Sequence, residues 1–208
     1  MESETGSLTE GVLLFHKPRG VVVTTRDERG RRTVYDCLPG WVREKGFVPV
    51  GRLDRDSRGL LLFVRDRRLV EELGAPGRHA KTYEVWVRGR VTPEHLRAAR
   101  RGVESPVGLL NVQSAEVLGT AGPKTRLRVV LEEGKNRHLR RLFGALRDPL
   151  HGTPLKVTDL KRTGFGPLQL DLPSGGWRFL REEEAERLGA AGRAGPAPAG
   201  GPSRGAAG

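Results

Sequence analysis

A chain of 208 residues with 37 Lys and Arg against 25 Asp and Glu carries a formal charge of +12, which points to a polyanionic partner, nucleic acid first. Only seven of the basic residues are lysine, and arginine is the better residue for bidentate phosphate contacts and for stacking on bases. A single cysteine, Cys37, excludes an intramolecular disulfide framework and fits a reducing cytosol. The polar, acidic opening MESETGSLTE does not read as a signal peptide, and no apolar run reaches the length of a membrane span. The expectation is a cytoplasmic nucleic-acid-binding protein without a membrane segment.

Residues 1–10 read as a flexible tail. Val12–Phe15 and Val21–Thr24 are short β-prone runs around the Lys17-Pro18-Arg19-Gly20 turn. Arg26–Arg32 is a charged loop, and Thr33 can cap a short helix to Leu38. Phe47–Val50 reads as a strand, Asp66 as the cap of a helix to Leu73, and Lys81–Val87 as an alternating strand with Tyr83, Val85 and Val87 on one face. Pro93 opens a helix to Arg101. Asn111–Leu118 and Thr125–Leu131 form a strand pair. Lys135–Leu146 is the strongest helical pattern, with Leu139, Leu142, Phe143 and Leu146 on one stripe. Arg137 and Arg141 fall opposite that stripe, and Arg140 lies about 60° beyond its Phe143 edge. Leu155–Lys161, Leu168–Leu172 and Arg178–Leu180 read as closing strands, followed by a helix over Glu182–Leu188. The Ala/Gly/Pro-rich residues 190–208 cannot bury enough apolar surface to order themselves, so the predicted domain is 11–189. Strands and helices mix without βαβ alternation, which predicts an α+β fold with a mixed, largely antiparallel sheet.

The chemistry gathers in Gly51–Phe63, GRLDRDSRGLLLF. Asp54 and Asp56 sit in a turn-prone basic loop at the mouth of the apolar run Leu60–Phe63, which reads as a buried strand. Asp56-Ser57-Arg58-Gly59 is compatible with a plain turn in which Asp54 pairs with a nearby Arg. A calcium loop fails, because Arg58 and Arg65 stand where acids are required. A two-carboxylate glycosidase lacks a second acid on another element. Two readings stay open on the residues alone, the plain turn and a single catalytic aspartate beside an arginine.

GRLDRDSRGLLLF resembles the active-site motif of the pseudouridine synthases, in the branch designated RsuA, RluB, RluE and RluF. HKPRG at 16–20 resembles that branch's KPxG element, KTYEVWV at 81–87 its KxY strand, and EGKNRHLRRLF at 133–143 its basic helix. The segment from Leu168 to Leu180 is similar to its closing L-x-L…G-x-R-x-L pattern. These elements occur in family order. The resemblance implies a cleft between two sub-lobes and no cofactor or metal. It implies Asp54 as catalytic residue, acting at C1′ or C6 of a flipped uridine. Arg52 would hold the opened RNA, Tyr83 would pack on the base, Leu139 would pack near it, and Arg140 would ion-pair with Asp54. Lys135, Asn136 and Arg137 would contact the RNA backbone, and Lys17 would lie by the site.

His138 replaces the usual Gln, Arg58 a common Glu, and Val64-Arg65-Asp66-Arg67 the usual TNDG. The KPxG element begins near residue 16, which leaves no room for an N-terminal S4 module and places the chain nearest the RluE type. The expected partner is ribosomal RNA, 23S in preference to 16S, or a pre-ribosomal particle, bound by a monomer. Two alternatives are a non-catalytic rRNA-binding assembly protein and a nucleoside hydrolase using His16, His79 or His138 as base.

Overall fold

The computed structural model describes residues 11–189, so the expectations for 1–10 and 190–208 lie outside the described residues. The chain divides into two units. One joins the N-terminal part, to Arg78, with the part from Gly166 onward; the other is His79–Phe165. Every ladder between named strands inside a unit is antiparallel, and the fold class is α+β.

In the first unit the apolar run falls inside strand β3, Arg58–Val64, buried from Gly59 onward. Burial on both faces is why the run is continuous rather than alternating. Strand β1, Leu13–Lys17, is buried at all five positions. It lies between β3 and β9 (Trp177–Phe179), with Phe15 opposite both Leu61 and Trp177. The two-residue strand β2, Val48–Pro49, adds to the β3 end at Phe63–Val64. Phe63 meets Phe15 and Tyr35 edge-on, with centroids 6.1 and 5.9 Å away.

The expected strand at Val21–Thr24 is only an isolated parallel bridge between Val22 and Thr33. Val22 exchanges its backbone bonds with Arg32 and Val34, so a loop satisfies what a strand partner would. The expected helix at Thr33–Leu38 is one 3₁₀ turn, Val34–Cys37, with the Thr33 amide and hydroxyl both donating to Asp36. Helix α1, Gly40–Glu44, follows without having been expected. Helix α2, Arg67–Gly74, starts where Asp66 accepts the Arg68 N–H. Strand β8 is shorter than expected, Leu168–Gln169. Arg178 of β9 donates two hydrogen bonds to Glu184 and two to Asp171, which ties helix α5, Glu182–Leu188, to the strand before it.

In the second unit β4, Lys81–Arg88, runs between β6 (Lys124–Leu131) and β7 (Lys156–Phe165). Strand β5, Ser114–Ala121, pairs with the far side of β6. Burial alternates along β4 as the sequence predicts, with Tyr83, Val85 and Val87 inward. Helix α3, Pro93–Arg101, has its proline at the first turn.

Helix α4 departs from expectation. It covers only His138–Gly144, because Arg137 adopts a left-handed conformation at φ 52°. Leu139, Leu142 and Phe143 are buried on its inner face, whereas Leu146 lies beyond the helix and is half-buried. Arg137 therefore belongs to the preceding turn and not to the outer helix face. Arg141 donates to Asn136 Oδ1 at 3.1 Å.

Phe63 has no accessible surface and is wedged between two rings. Phe63→Ala is expected to lower the urea unfolding free energy by about 3–5 kcal/mol at unchanged m-value, and Phe63→Leu by distinctly less. Equal midpoints for Phe63→Ala and wild type would contradict this account of the core.

Candidate active site

Gly51, at φ +68°, turns the chain out of β2 into a loop that ends at Ser57. Leu53 points into the core at 6% exposure. It thereby fixes its neighbour Asp54 half-buried, while Arg52, Arg55 and Asp56 are exposed. The Ser57 N–H donates to the Asp54 carbonyl at 3.0 Å, closing the loop on itself. The two acids thus occupy different environments, and only Asp54 is partly withdrawn from water.

Lys17, the last residue of β1, clamps this loop from below. It is fully buried, and its ammonium donates to the Ser57 carbonyl at 2.7 Å and to the Pro18 carbonyl at 2.9 Å. Burial pushes it down to about 8, against the opposing pull of Cys37, Asp54 and Asp56. A second tie joins the same turn and loop: the Gly20 N–H donates to the Arg55 carbonyl at 2.8 Å, and Arg55 Nε donates back to the Gly20 carbonyl at 3.3 Å. Lys17 and the Gly20 backbone thus brace the aspartate loop, while Arg19 stays exposed.

The other residues singled out lie in the second unit. Tyr83 is 7% exposed on the inner face of β4. Beside it stand two cations: Lys81 on the same face of β4 and Arg162, its neighbour in β7. Both lie over the Phe165 ring, at 5.5 and 5.7 Å from its centroid. Burial, with the like charge of Arg162, pushes the Lys81 ammonium down. Sequence reasoning missed Arg162. The signal was a basic residue on the Leu160–Gly164 parity of a strand, where an apolar side chain belongs.

Leu139 is buried, and Arg140 is half-buried, its Nη1 donating to the Val157 carbonyl at 3.1 Å. Lys135, Asn136 and Arg137 are exposed in the turn before α4. Arg137 is the only described non-glycine residue at positive φ, a conformation that costs about 1–2 kcal/mol and concentrates at functional sites.

A family model described as RNA pseudouridylate synthase matches residues 11–145. The chain belongs to this family. Ribosomal large subunit pseudouridine synthase B of Vibrio cholerae is 40% identical over 180 residues, covering 85% of this chain and 54% of that protein. The protein of the same name from Haemophilus influenzae is 36% identical, covering 85% of this chain and 48% of its own length. The chain therefore spans about half the length of the curated relatives it matches. Both are B-type members of the branch resembled by the motifs, and the narrower RluE reading gains nothing from them. A solved pseudouridylate synthase shares the fold, at a TM-score of 0.71 and 24% identity, covering 86% of this chain and 73% of its own.

The histidines offered as hydrolase bases serve the pseudouridylate synthase fold instead. His16 is buried with Nδ1 2.8 Å from the Leu172 carbonyl, and His138 is buried with Nε2 2.8 Å from the Asn111 carbonyl. His79 packs against the Phe165 ring at 5.4 Å.

The clamp has a pH signature. The folded-state Lys17 ammonium titrates near 8 and the unfolded one near 10.5, so the cost of burying its charge is fully present below pH 8. That cost fades as pH rises towards 10.5, where the unfolded chain sheds the proton as well. Wild type should therefore gain on Lys17→Met by roughly 3 kcal/mol between pH 7.5 and 10.5, read from denaturant unfolding of both proteins. A constant difference across that window would mean that Lys17 folds without a charge penalty.

Proposed function

We propose that this protein isomerises a uridine of large-subunit ribosomal RNA to pseudouridine. The observation that carries the reading is the braced, half-buried Asp54 within a family match extending from residue 11 to 145. In this reaction the N1–C1′ bond breaks and the C5–C1′ bond forms. The C5 proton leaves and N1 gains one, so no atoms are added and no redox partner is needed.

Asp54 is the proposed catalytic carboxylate, acting at C1′ or C6 of a uridine taken out of its stack. Tyr83 and Leu139 are the proposed wall against the base. Arg140 is the counter-charge of the carboxylate, and Arg52 holds the vacated strand. Lys135, Asn136 and Arg137 bind phosphates in the turn before α4, and Lys17 positions the loop. We place the protein in the cytoplasm, acting as a monomer without a cofactor, on 23S rRNA or a precursor particle.

Two measurements test the assignment. Tritium should be released from 5-³H-uridine-labelled rRNA with no free uracil. Asp54→Asn should abolish that release while RNA affinity stays within a few-fold, because phosphate contacts supply most of the binding; Asp56→Asn should keep substantial activity. A dead Asp56→Asn beside an active Asp54→Asn overturns the choice of aspartate, and free uracil overturns the isomerase reading.

Arg140→Gln should lower the single-turnover rate by roughly 10²-fold, the scale of losing one preorganised electrostatic contact. Arg140→Lys should recover little, since a point charge on a flexible stem does not reproduce the planar fork. Near-wild-type turnover in Arg140→Gln removes this arginine from the mechanism.

A further inference from the structure

On the face of β4 that carries Glu84, Trp86 and Arg88, charge is matched in the middle of the sheet and unmatched at its end. Arg126, opposite Trp86, donates to Glu84 Oε2 at 2.6 Å. Arg128, opposite Glu84 in β4 and Glu116 in β5, pairs with Glu116 at 2.7 Å. At the last position of β4 this order breaks. Arg88 has Lys124 as its partner in β6 and Lys156 as its partner in β7. Three exposed cations thus stand side by side on adjacent strands, spaced about 4.8 Å per strand. Like charges directly opposite one another destabilise a sheet, and among the described residues no acid pairs with any of the three.

The ground beside the row is built, not loose. A basin of about 480 Å³ opens there, lined by Arg88, Arg90, Lys124 and His151 around Asp148. The Asp148 carboxylate is occupied in holding two loops. It accepts the N–H groups of Arg90, Leu150 and His151 at 2.9, 2.7 and 3.3 Å, and these bonds hold it below the usual carboxylate range. Thr125 Oγ1 donates to the Gly89 carbonyl at 3.0 Å and accepts the Val91 N–H at 3.3 Å. Gly89, at φ +108°, has no room for a side chain, since a Cβ would lie 2.8 Å from Asp148 Oδ2. The one acid in the basin is thus spent on backbone, and the cations face outward.

We propose that the Lys124–Arg88–Lys156 row and the basin beside it bind the phosphodiester backbone of the RNA substrate, away from the target nucleotide. The inference rests on the RNA-modifying function proposed above. Tyr83 lies five residues earlier on β4, about 17 Å away along the strand and on its opposite face, so the contact is remote from the base-binding side. A row of cations that costs the fold stability when empty is neutralised when a chain of phosphates lies across it.

The test uses the full chain and an rRNA fragment carrying the target, with binding titrated over a range of salt. The triple variant Arg88→Gln, Lys124→Gln, Lys156→Gln should bind more weakly, and the slope of log K against log[salt] should fall by about two units, on the basis of about 0.7 per lost phosphate contact to a single strand. Its melting temperature should equal or exceed that of wild type, because like-charge repulsion is relieved. A charge-matched control, Arg97→Gln, Arg101→Gln, Arg187→Gln, should keep the wild-type slope. Inorganic phosphate added at constant ionic strength should not displace the RNA. Unchanged slope in the triple variant, the same loss in the control, or displacement by phosphate alone would each overturn the proposal. Binding is read independently of isomerisation, so absence of pseudouridine formation by wild type counts against the proposed function and leaves the row to be judged on the slopes.

Discussion

A fully buried ammonium at the end of the most deeply buried strand is the constraint on which the first unit depends. Strand β1 is covered on both edges and both faces, and it ends in Lys17 rather than in an apolar residue. Withdrawing that charge from water is costly. The arrangement persists because two carbonyls receive the ammonium and three potentially negative groups surround it. One of those carbonyls belongs to Ser57, three residues after Asp54. The position of the aspartate is thereby referred to a buried strand and not to its own loop alone, which is what a preorganised carboxylate requires.

Local patterns in the sequence were read with success where the local pattern decides the structure. The continuous run Leu60–Phe63, the alternation of Lys81–Val87, the Asp66 cap and the helix at Glu182–Leu188 each carry their own signal within a few residues. The start of α4 was misread because Lys135, Asn136 and Arg137 extend a plausible helical pattern. Nothing in composition announces that Arg137 takes a left-handed turn. Residues whose setting depends on partners distant in sequence were not legible. Arg162 is buried because it neighbours Tyr83 across a ladder joining residues almost eighty positions apart. The row of Lys124, Arg88 and Lys156 exists only through the register of three strands.

The same register argument separates two kinds of basic residue that composition lumps together. Arg126, Arg128 and Arg178 are matched by acids and belong to the architecture. Lys135, Arg137, Arg88, Lys124 and Lys156 are exposed without such partners among the described residues, and a strongly basic chain is understood through that second group. Net charge points to a polyanion; pairing within the fold separates the residues proposed to meet it from those that hold the architecture.

The first unit is assembled from both parts of the chain, with β1 pairing to a strand more than 150 residues downstream while His79–Phe165 is contiguous. On the ribosome β1 emerges early and has only β3 as a neighbour until Trp177–Phe179 appears. Closure of the strand that positions the aspartate is therefore among the last events of synthesis, and the high sequence separation of that pairing makes it a slow one. A nascent chain released before residue 177 would carry an Asp54 loop whose supporting strand still lacked one of its two neighbours.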